Sequence, residues 1–370
     1  MPTRDTVLQI IPHPPGVFDG VSDYALNLAR ALSAGHGIGT TFLVAEKTGV
    51  TFNVDYPVVF GLNSASCSEL ARGHAHVILH YVNYAYQARG IPFALVPVVR
   101  ELRHNCRGRL LTIFHELYAS TPPWKSAFWL QPWQKRIART IAELSSVCLV
   151  SSESMRRQLG RLASGAETII NPVLSNFGEP QLSADQLSQR DPHRWAICGG
   201  TALIEKSLKS FRKIIDRIPE EILPRQLFVL GGDDSPAVRP LLLHQEIQTD
   251  YRPRLTPADA SGILSTSSFV WLDYFHQPGV PADVLLKSTA FAAACAHGAI
   301  PIFPHRSSVI SLAADPLPGP FFIEPPLSEL PAPEDRAKIA ARFYDWYQRH
   351  ASSNHLARGI ARALQLGHEP

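Results

Sequence analysis

Long apolar runs are missing from this chain. Hydrophobic residues make up 45% of its 370 positions, but prolines, glycines and charged residues interrupt them throughout. No stretch approaches the roughly 18 consecutive apolar residues that cross a bilayer. Cysteine is scarce as well: Cys67, Cys106, Cys148, Cys198 and Cys295 are 5 scattered residues without CxxC spacing, several of them in apolar runs such as SSVCLVSS. This argues against a disulfide framework and for reduced core thiols. Charge of one sign is lacking too, because 35 Lys and Arg against 32 Asp and Glu leave a net charge of +3. Without a concentrated basic stripe, no nucleic-acid partner is expected. The opening MPTRDTVLQIIPHPPG has only a short apolar run broken by prolines, unlike a secretory signal, so the chain is expected in the cytoplasm.

What is present is an α/β rhythm. TVLQIIP, TTFLVAE, HVILHYVN, RLLTIFHEL and VCLVSS read as strands, and SDYALNLARALSAG and WQKRIARTIAEL carry apolar residues at helical spacing. In the first of these helices Ser22 or Asp23 reads as the cap, which leaves Gly16 to Gly20 as a turn. Periodicity fades between Asn171 and Arg194, where Pro, Ser, Gln and Asp accumulate, as in an interdomain linker. After it the rhythm restarts with RWAICGG, SLKSFRKIIDRI and QLFVLGG. The length favours two domains, read as 1–175, 190–332 and a helical tail, 333–370, that packs back on the first domain.

The segment from Phe269 to Phe303 reads strand, Pro/Gly loop, helix, glycine stop, strand. Ser288 or Thr289 can cap the small-residue helix TAFAAACA. Its free amides and positive dipole end, with Lys287 beside them, form an entrance suited to an anion.

Other residues stand where open α/β sheets gather ligands. His115 and Glu116 end the strand RLLTIF, and either can take a proton from a hydroxyl. Asp19 and Asp23 flank the first glycine loop; Asp19 is assigned to acceptor hydroxyls and Asp23 to capping. His74, His76 and His80 in GHAHVILHY lack the accompanying carboxylate of a metal site, and no metal is expected. PPWKSAFWLQPWQKRIAR interleaves Trp124, Trp129 and Trp133 with Lys125, Lys135, Arg136 and Arg139. Core packing of Phe128, Trp129 and Trp133 is the expected use. An interfacial helix on anionic lipid, or an aromatic platform for a sugar with Trp124 on the acceptor side, is the alternative.

Together GVFDGVSDYALNLARAL, FHELYA, VSSESMRRQL and the unit ending AHGAIPIF resemble the GT-B glycosyltransferases. The likeness is greatest to the retaining group that includes sucrose synthase and bacterial exopolysaccharide and lipid-sugar transferases. The resemblance implies two Rossmann-like α/β domains facing each other across a cleft. A nucleotide-sugar donor would lie on the second, a glycan or lipid-linked acceptor on the first, and no cofactor or metal would be required. It places Lys206, in IEKSLKS, beside the donor diphosphate. It also makes His115 a contact of the donor sugar, so that His115, Lys206 and Lys287 form the catalytic set. Gly16, Gly20, Glu116, Gly200, Asp283, Ser288 and Thr289 fall on the donor side. The chain departs from the pattern at Thr201, where the group has an arginine, and at Leu285 and Ala293, where it has paired glutamates. A changed donor-binding mode is therefore expected, with a catalytically silent binding or scaffolding module as the rival. Peripheral contact with the inner membrane face is compatible with a lipid-linked acceptor.

Overall fold

A computed structural model describes residues 6–15, 19–46, 55–62, 64–119, 124, 126–242, 247–275 and 280–365. The chain divides into two compact units, Met1–Pro172 with Ser353–Pro370, and Val173–Ser352.

In the first unit β1 (Thr6–Ile11), α1 (Gly20–His36), β2 (Gly39–Val44), β3 (Val58–Phe60), α2 (Ser64–Gly73), β4 (His76–Tyr81) and the short α3 (Asn83–Tyr86) are followed by α4 (Leu95–Asn105) and β5 (Leu110–Phe114). Then come α5 (Ser126–Leu144), β6 (Val147–Val150), α6 (Glu153–Leu162) and β7 (Thr168–Ile170). The strands form one parallel sheet in the order β3-β2-β1-β4-β5-β6-β7. Strands covered by helices on both faces need apolar residues on both, and every residue of β5 and β6 is buried. The helix α1 buries Tyr24, Ala25, Leu28, Ala29 and Leu32 against the sheet side. It stops at Gly37, whose left-handed φ of 65° lets its N–H return to the carbonyls of Leu32 and Ser33.

The second unit contains α7 (Ala184–Ser188), β8 (Arg194–Cys198), α8 (Thr201–Ile214), β9 (Gln226–Leu230), β10 (Gln248–Arg252), α9 (Pro257–Leu264), β11 (Phe269–Trp271), α10 (Thr289–Ala296) and β12 (Ile300–Phe303). A small hairpin, β13 (Ser311–Leu312) and β14 (Asp315–Pro316), precedes β15 (Phe321–Glu324), β16 (Leu327–Glu329) and α11 (Arg336–His350). Its sheet runs β10-β9-β8-β11-β12-β15-β16, parallel apart from the antiparallel edge strand β16. Aromatic rings fill the core: Trp195 lies 5.0 Å from Phe269 and Trp271 lies 5.7 Å from Phe211, centroid to centroid. Both indoles donate to backbone carbonyls, Trp195 to Ile222 and Trp271 to Ser207, so burying them leaves no N–H unpaired.

Two expectations about organisation need correction. The stretch read as a linker is fastened: Tyr347 accepts the N–H of Ser175 and donates to Glu179, and Tyr344 accepts the N–H of Leu182. Ser183 and Gln186 then cap α7 reciprocally. The C-terminal helices also divide, because α11 packs on α7 and α10 within the second unit. The last helix, α12 (Ser353–Leu364), packs on α1, with Arg109 donating to the Ala363 carbonyl at its end.

Candidate functional site

In each sheet the strand order reverses beside the first strand of its unit, between β1 and β4 and between β8 and β11. Ligands of open α/β sheets bind at such switch points, beyond the carboxyl ends of the strands.

At the first switch point, Gln9, His80 and His115 come from the adjacent strands β1, β4 and the end of β5. His80 is wholly buried, and its Nε2 lies 2.8 Å from Gln9 Oε1 and its Nδ1 3.2 Å from His115 Nε2. Burial, reinforced by the neighbouring His115, holds the His80 pKa well below the usual imidazole range. Tyr24 of α1 stands edge-on to both rings, 4.9 Å from His115 and 5.8 Å from His80. His115 is half-buried and Glu116 exposed.

Asp19, not Ser22 or Asp23, caps α1: its carboxylate accepts the Ser22 N–H at 3.0 Å and lies 2.8 Å from the Ser22 hydroxyl. Its capping geometry explains its position without an acceptor. Asp23, assigned to capping from sequence, is instead half-buried. Burial first and the Asp19 charge second push its carboxyl up to about 6. Gly20 is the exposed first residue of α1, and Gly16 lies outside the described residues.

Further along this rim the tryptophans depart from expectation. Trp129 is 71% exposed and Trp133 47%, so they are not core residues; Trp124 is 81% exposed. What holds the region is Gln134, fully buried on the opposite side of α5. Its Oε1 accepts the Ala119 N–H, and its Nε2 donates to the Tyr84 hydroxyl and the Arg89 carbonyl. Phe93 packs edge-on to Trp133 at 5.8 Å. The three histidines of GHAHVILHY do not converge: His74 bonds to the Leu70 carbonyl, His76 accepts the Arg109 N–H, and His80 faces Gln9. Among the described residues no group of three metal-ligating side chains occurs.

At the second switch point Gly199 and Gly200 join β8 to α8, and Gly231 and Gly232 follow β9. Gly231 and Gly232 are required by close approach: a Cβ on Gly231 would lie 2.8 Å from the Gly199 carbonyl, and one on Gly232 2.8 Å from the Thr201 nitrogen. Gly200 is the N-cap residue of α8 and offers no side-chain cap. Thr201 instead turns its hydroxyl to accept the Asp233 N–H at 2.8 Å.

Lys206 reaches from α8 to the turn after β11, donating to the Asp273 carbonyl at 2.8 Å, with Asp273 Oδ1 at 3.6 Å. Ser207 accepts the Asp273 N–H. The next residue, Tyr274, hydrogen-bonds to Ser288, and Ser288 caps α10 by accepting the Phe291 N–H at 3.0 Å. The turn at Asp273 and Tyr274 thus connects the two candidate donor-side groups, Lys206 and Ser288. Thr289 is the half-buried first residue of α10. Asp283 and Lys287 lie on the 3-10 turn Ala282–Lys287, the first half-buried and the second exposed. The carbonyl of Leu286, next to Lys287, accepts the N–H of Val173.

No protein-family model and no curated protein matches the chain. Solved structures match it over nearly its whole length. A glycosyltransferase from Rickettsia africae ESF-5 superposes with a TM-score of 0.60 at 13% identity, covering 98% of each chain. An alpha-glucosyltransferase in complex with UDP and a 13-mer DNA gives 0.56 at 12%, covering 99% of this chain and 100% of the other. The N-terminal domain of a Candida albicans trehalose-6-phosphate phosphatase gives 0.57 at 10%, covering 98% and 97%. The chain has the GT-B fold. At these identities the likeness carries architecture and not chemistry. Within the GT-B frame the departures seen in the sequence acquire a physical reading. Leu285 and Ala293 are both wholly buried, so the positions where the resemblance expects glutamates belong to the core, where an ionised carboxylate would be costly.

Gln9, Tyr24, Asp273 and Gln134 escaped the sequence reading, and His80 entered it only as a metal candidate. Gln9 offered one signal, a lone polar residue inside an apolar parallel strand.

Proposed function

We infer that this chain is a glycosyltransferase. It moves a sugar from a nucleoside diphosphate sugar to a glycan or lipid-linked acceptor, with retention at the sugar carbon and no metal required, in polysaccharide or glycoconjugate biosynthesis. The observation that carries the reading is the pair of switch points in a GT-B fold, one presenting His115 and the other the Lys206, Asp273, Tyr274 and Ser288 network. Breaking the bond to a diphosphate builds negative charge on the leaving group and positive charge on the sugar carbon. Fixed amides at the starts of α8 and α10, with Lys206 and Lys287, supply preorganised stabilisation for the first. His115 serves the sugar. The exposed tryptophans of α5, next to Arg136 on the same helix, support contact with an anionic membrane face from the cytoplasm.

Calorimetry with UDP, GDP and UMP, followed by a donor-hydrolysis screen with and without EDTA, tests this. The expected result is diphosphate binding together with slow, EDTA-insensitive donor hydrolysis. Lys287→Ala should weaken nucleoside diphosphate binding far more than monophosphate binding; equal small effects on both would remove Lys287 from the site. A second reading, a silent binding module, is favoured by the apolar residues at Leu285 and Ala293. Binding without hydrolysis of any donor would select it.

A further inference from the structure

The register of two strands, carried past the end of their ladder, brings a histidine and a glutamate together at the carboxyl edge of the second sheet. β12 and β15 pair Ile302 with Phe321 and Phe303 with Phe322. Pro304 has no N–H with which to extend the ladder, but the register continues, and two residues on from Phe303 and Phe322 it sets His305 beside Glu324 on one face. Glu324 Oε1 lies 3.0 Å from His305 Nδ1, and Glu324 Oε2 accepts the Arg306 N–H at 3.1 Å. Consecutive residues of one loop thus engage both carboxylate oxygens. The Arg306 N–H first and His305 second hold the Glu324 carboxyl below its usual range, so it stays ionised and can only accept. A carboxylate facing Nδ1 places the ring proton there, and the lone pair of a neutral His305 is then on Nε2. Nδ1 is buried while 29% of the side chain is exposed, so the edge open to a ligand is the one that carries Nε2.

The first unit repeats the device. Ile11 pairs with Val44, Pro12 follows, and His13 Nδ1 meets Glu46 Oε2 at 2.7 Å. The residue after His13 is Pro14, which has no N–H for the second oxygen, and Glu46 is 50% exposed against 24% for Glu324. The His305 pair is therefore the more firmly held, and its loop is tied to the donor side. Ser307 donates to the Val280 carbonyl, just before the 3-10 turn Ala282–Lys287 that leads to α10. β12 is also the sheet neighbour of β11, beyond which stand Asp273 and Tyr274. A nucleotide sugar presents ribose and sugar hydroxyls that need acceptors, and the buried apolar Leu285 and Ala293 offer none.

We propose that His305, positioned by Glu324, is a donor-side binding residue whose Nε2 lone pair accepts a hydrogen bond from a hydroxyl of the nucleotide sugar, on its ribose or on its transferred sugar. The ligand rests on the glycosyl-transfer reading; the orientation of the ring does not.

Calorimetry of the full chain with UDP, GDP, UDP-glucose and GDP-mannose tests this on each of them that the parent binds. His305→Ala should weaken binding about fivefold, the scale of one hydrogen bond. A loss for the nucleotide sugar alone places the hydroxyl on the transferred sugar, and an equal loss for the bare diphosphate places it on the ribose. Unchanged affinity for every bound nucleotide in a folded His305→Ala protein overturns the proposal. Glu324→Ala should cost less, and nothing further where His305 is already alanine; additive losses overturn the pairing. Nitrogen NMR with labelled histidine, before any ligand is added and above neutral pH, should show His305 protonated on Nδ1 and bare on Nε2; the opposite tautomer also overturns the proposal. A parent that binds none of the four nucleotides refutes the glycosyl-transfer reading and with it the ligand named here, whereas a parent that binds them and tolerates His305→Ala refutes this assignment alone.

Discussion

Replacing Lys206 by methionine asks how much of its charge the fold itself uses. The ammonium donates to the Asp273 carbonyl at 2.8 Å and stands 3.6 Å from Asp273 Oδ1, with the lysine side chain 43% exposed and the aspartate 7%. At that separation the attraction is roughly 1 kcal/mol at the dielectric constant of water and roughly 5 kcal/mol at an effective value of 20. The exposed ammonium keeps the net contribution in the lower part of that range. The variant also loses one hydrogen bond, about 1 kcal/mol, and leaves a buried carboxylate whose Oδ1 has no hydrogen-bond partner. We expect Lys206→Met to cost about 2 kcal/mol, read as a lowered urea midpoint by tryptophan fluorescence. Adding Asp273→Asn should recover about half of this, because the uncompensated charge disappears with it. A loss below about 0.5 kcal/mol, or strict additivity of the two substitutions, would refute the pairing. Lys206 would then be held for a ligand alone.

Asp23 gives a pH-dependent test. Its folded pKa, about 6, lies above the ordinary 3.8, so the folded chain holds this proton more tightly and the ionised form is the penalised one. The penalty is absent below about pH 4, grows between 4 and 6 and is complete above 6. Asp23→Asn should therefore raise stability by about 1 kcal/mol at pH 7, after allowance for solvent screening, and by nothing near pH 4; an equal gain at both would place the cause elsewhere. Gly232→Ala should cost more than about 1 kcal/mol, since φ is +64° and the new Cβ would meet the Thr201 nitrogen at 2.8 Å. Gly35→Ala, in open space inside α1, should instead gain up to about 1 kcal/mol by removing glycine from a helix. Thermal and urea unfolding of the two variants side by side would check the opposite signs.

Much of this architecture could be read from local pattern. The parallel strands announced themselves as short apolar runs because both faces are covered, and α10 was legible because a serine precedes eight small or apolar residues. The cap of α1 was misplaced by a short distance: Ser22, Asp23 and Asp19 are all competent cap residues, and only the backbone turn decides among them. The tryptophans were misjudged because helical spacing does not say which face of α5 a helix shows to solvent. Gln134, five residues after Trp129, took the inward face by satisfying three backbone or hydroxyl groups that no local pattern relates to it. The His80 to His115 contact joins residues 35 apart, and the Gln9 contact joins residues 71 apart. Such pairs arise from strand order alone. The sheet places β1 and β5 on either side of β4, and nothing in the spacing of the three residues encodes that neighbourhood.

The starts of α8 and α10 differ in a way that bears on where an anion would sit. Ser288 spends its hydroxyl on the Phe291 N–H and on Tyr274, so part of the α10 entrance is already satisfied from within. Gly200 provides no such oxygen to α8. The carbonyl of Gly200 accepts the N–H groups of Leu203 and Ile204, while the first-turn amides of Thr201 and Ala202 receive no cap from its side. A Cβ added at Gly200 would meet nothing within 4 Å, and its φ of −74° and ψ of 160° suit an ordinary capping residue. Gly200→Asp should therefore be tolerated and should add a few tenths of a kcal/mol to stability by capping α8. The same carboxylate would occupy the amides and place a negative charge where a diphosphate would bind. Nucleoside diphosphate affinity should fall about tenfold or more while stability rises, whereas Gly200→Ala should leave binding nearly unchanged. If Gly200→Asp binds diphosphate as the parent does, the anion is held at α10 and Lys287 without α8.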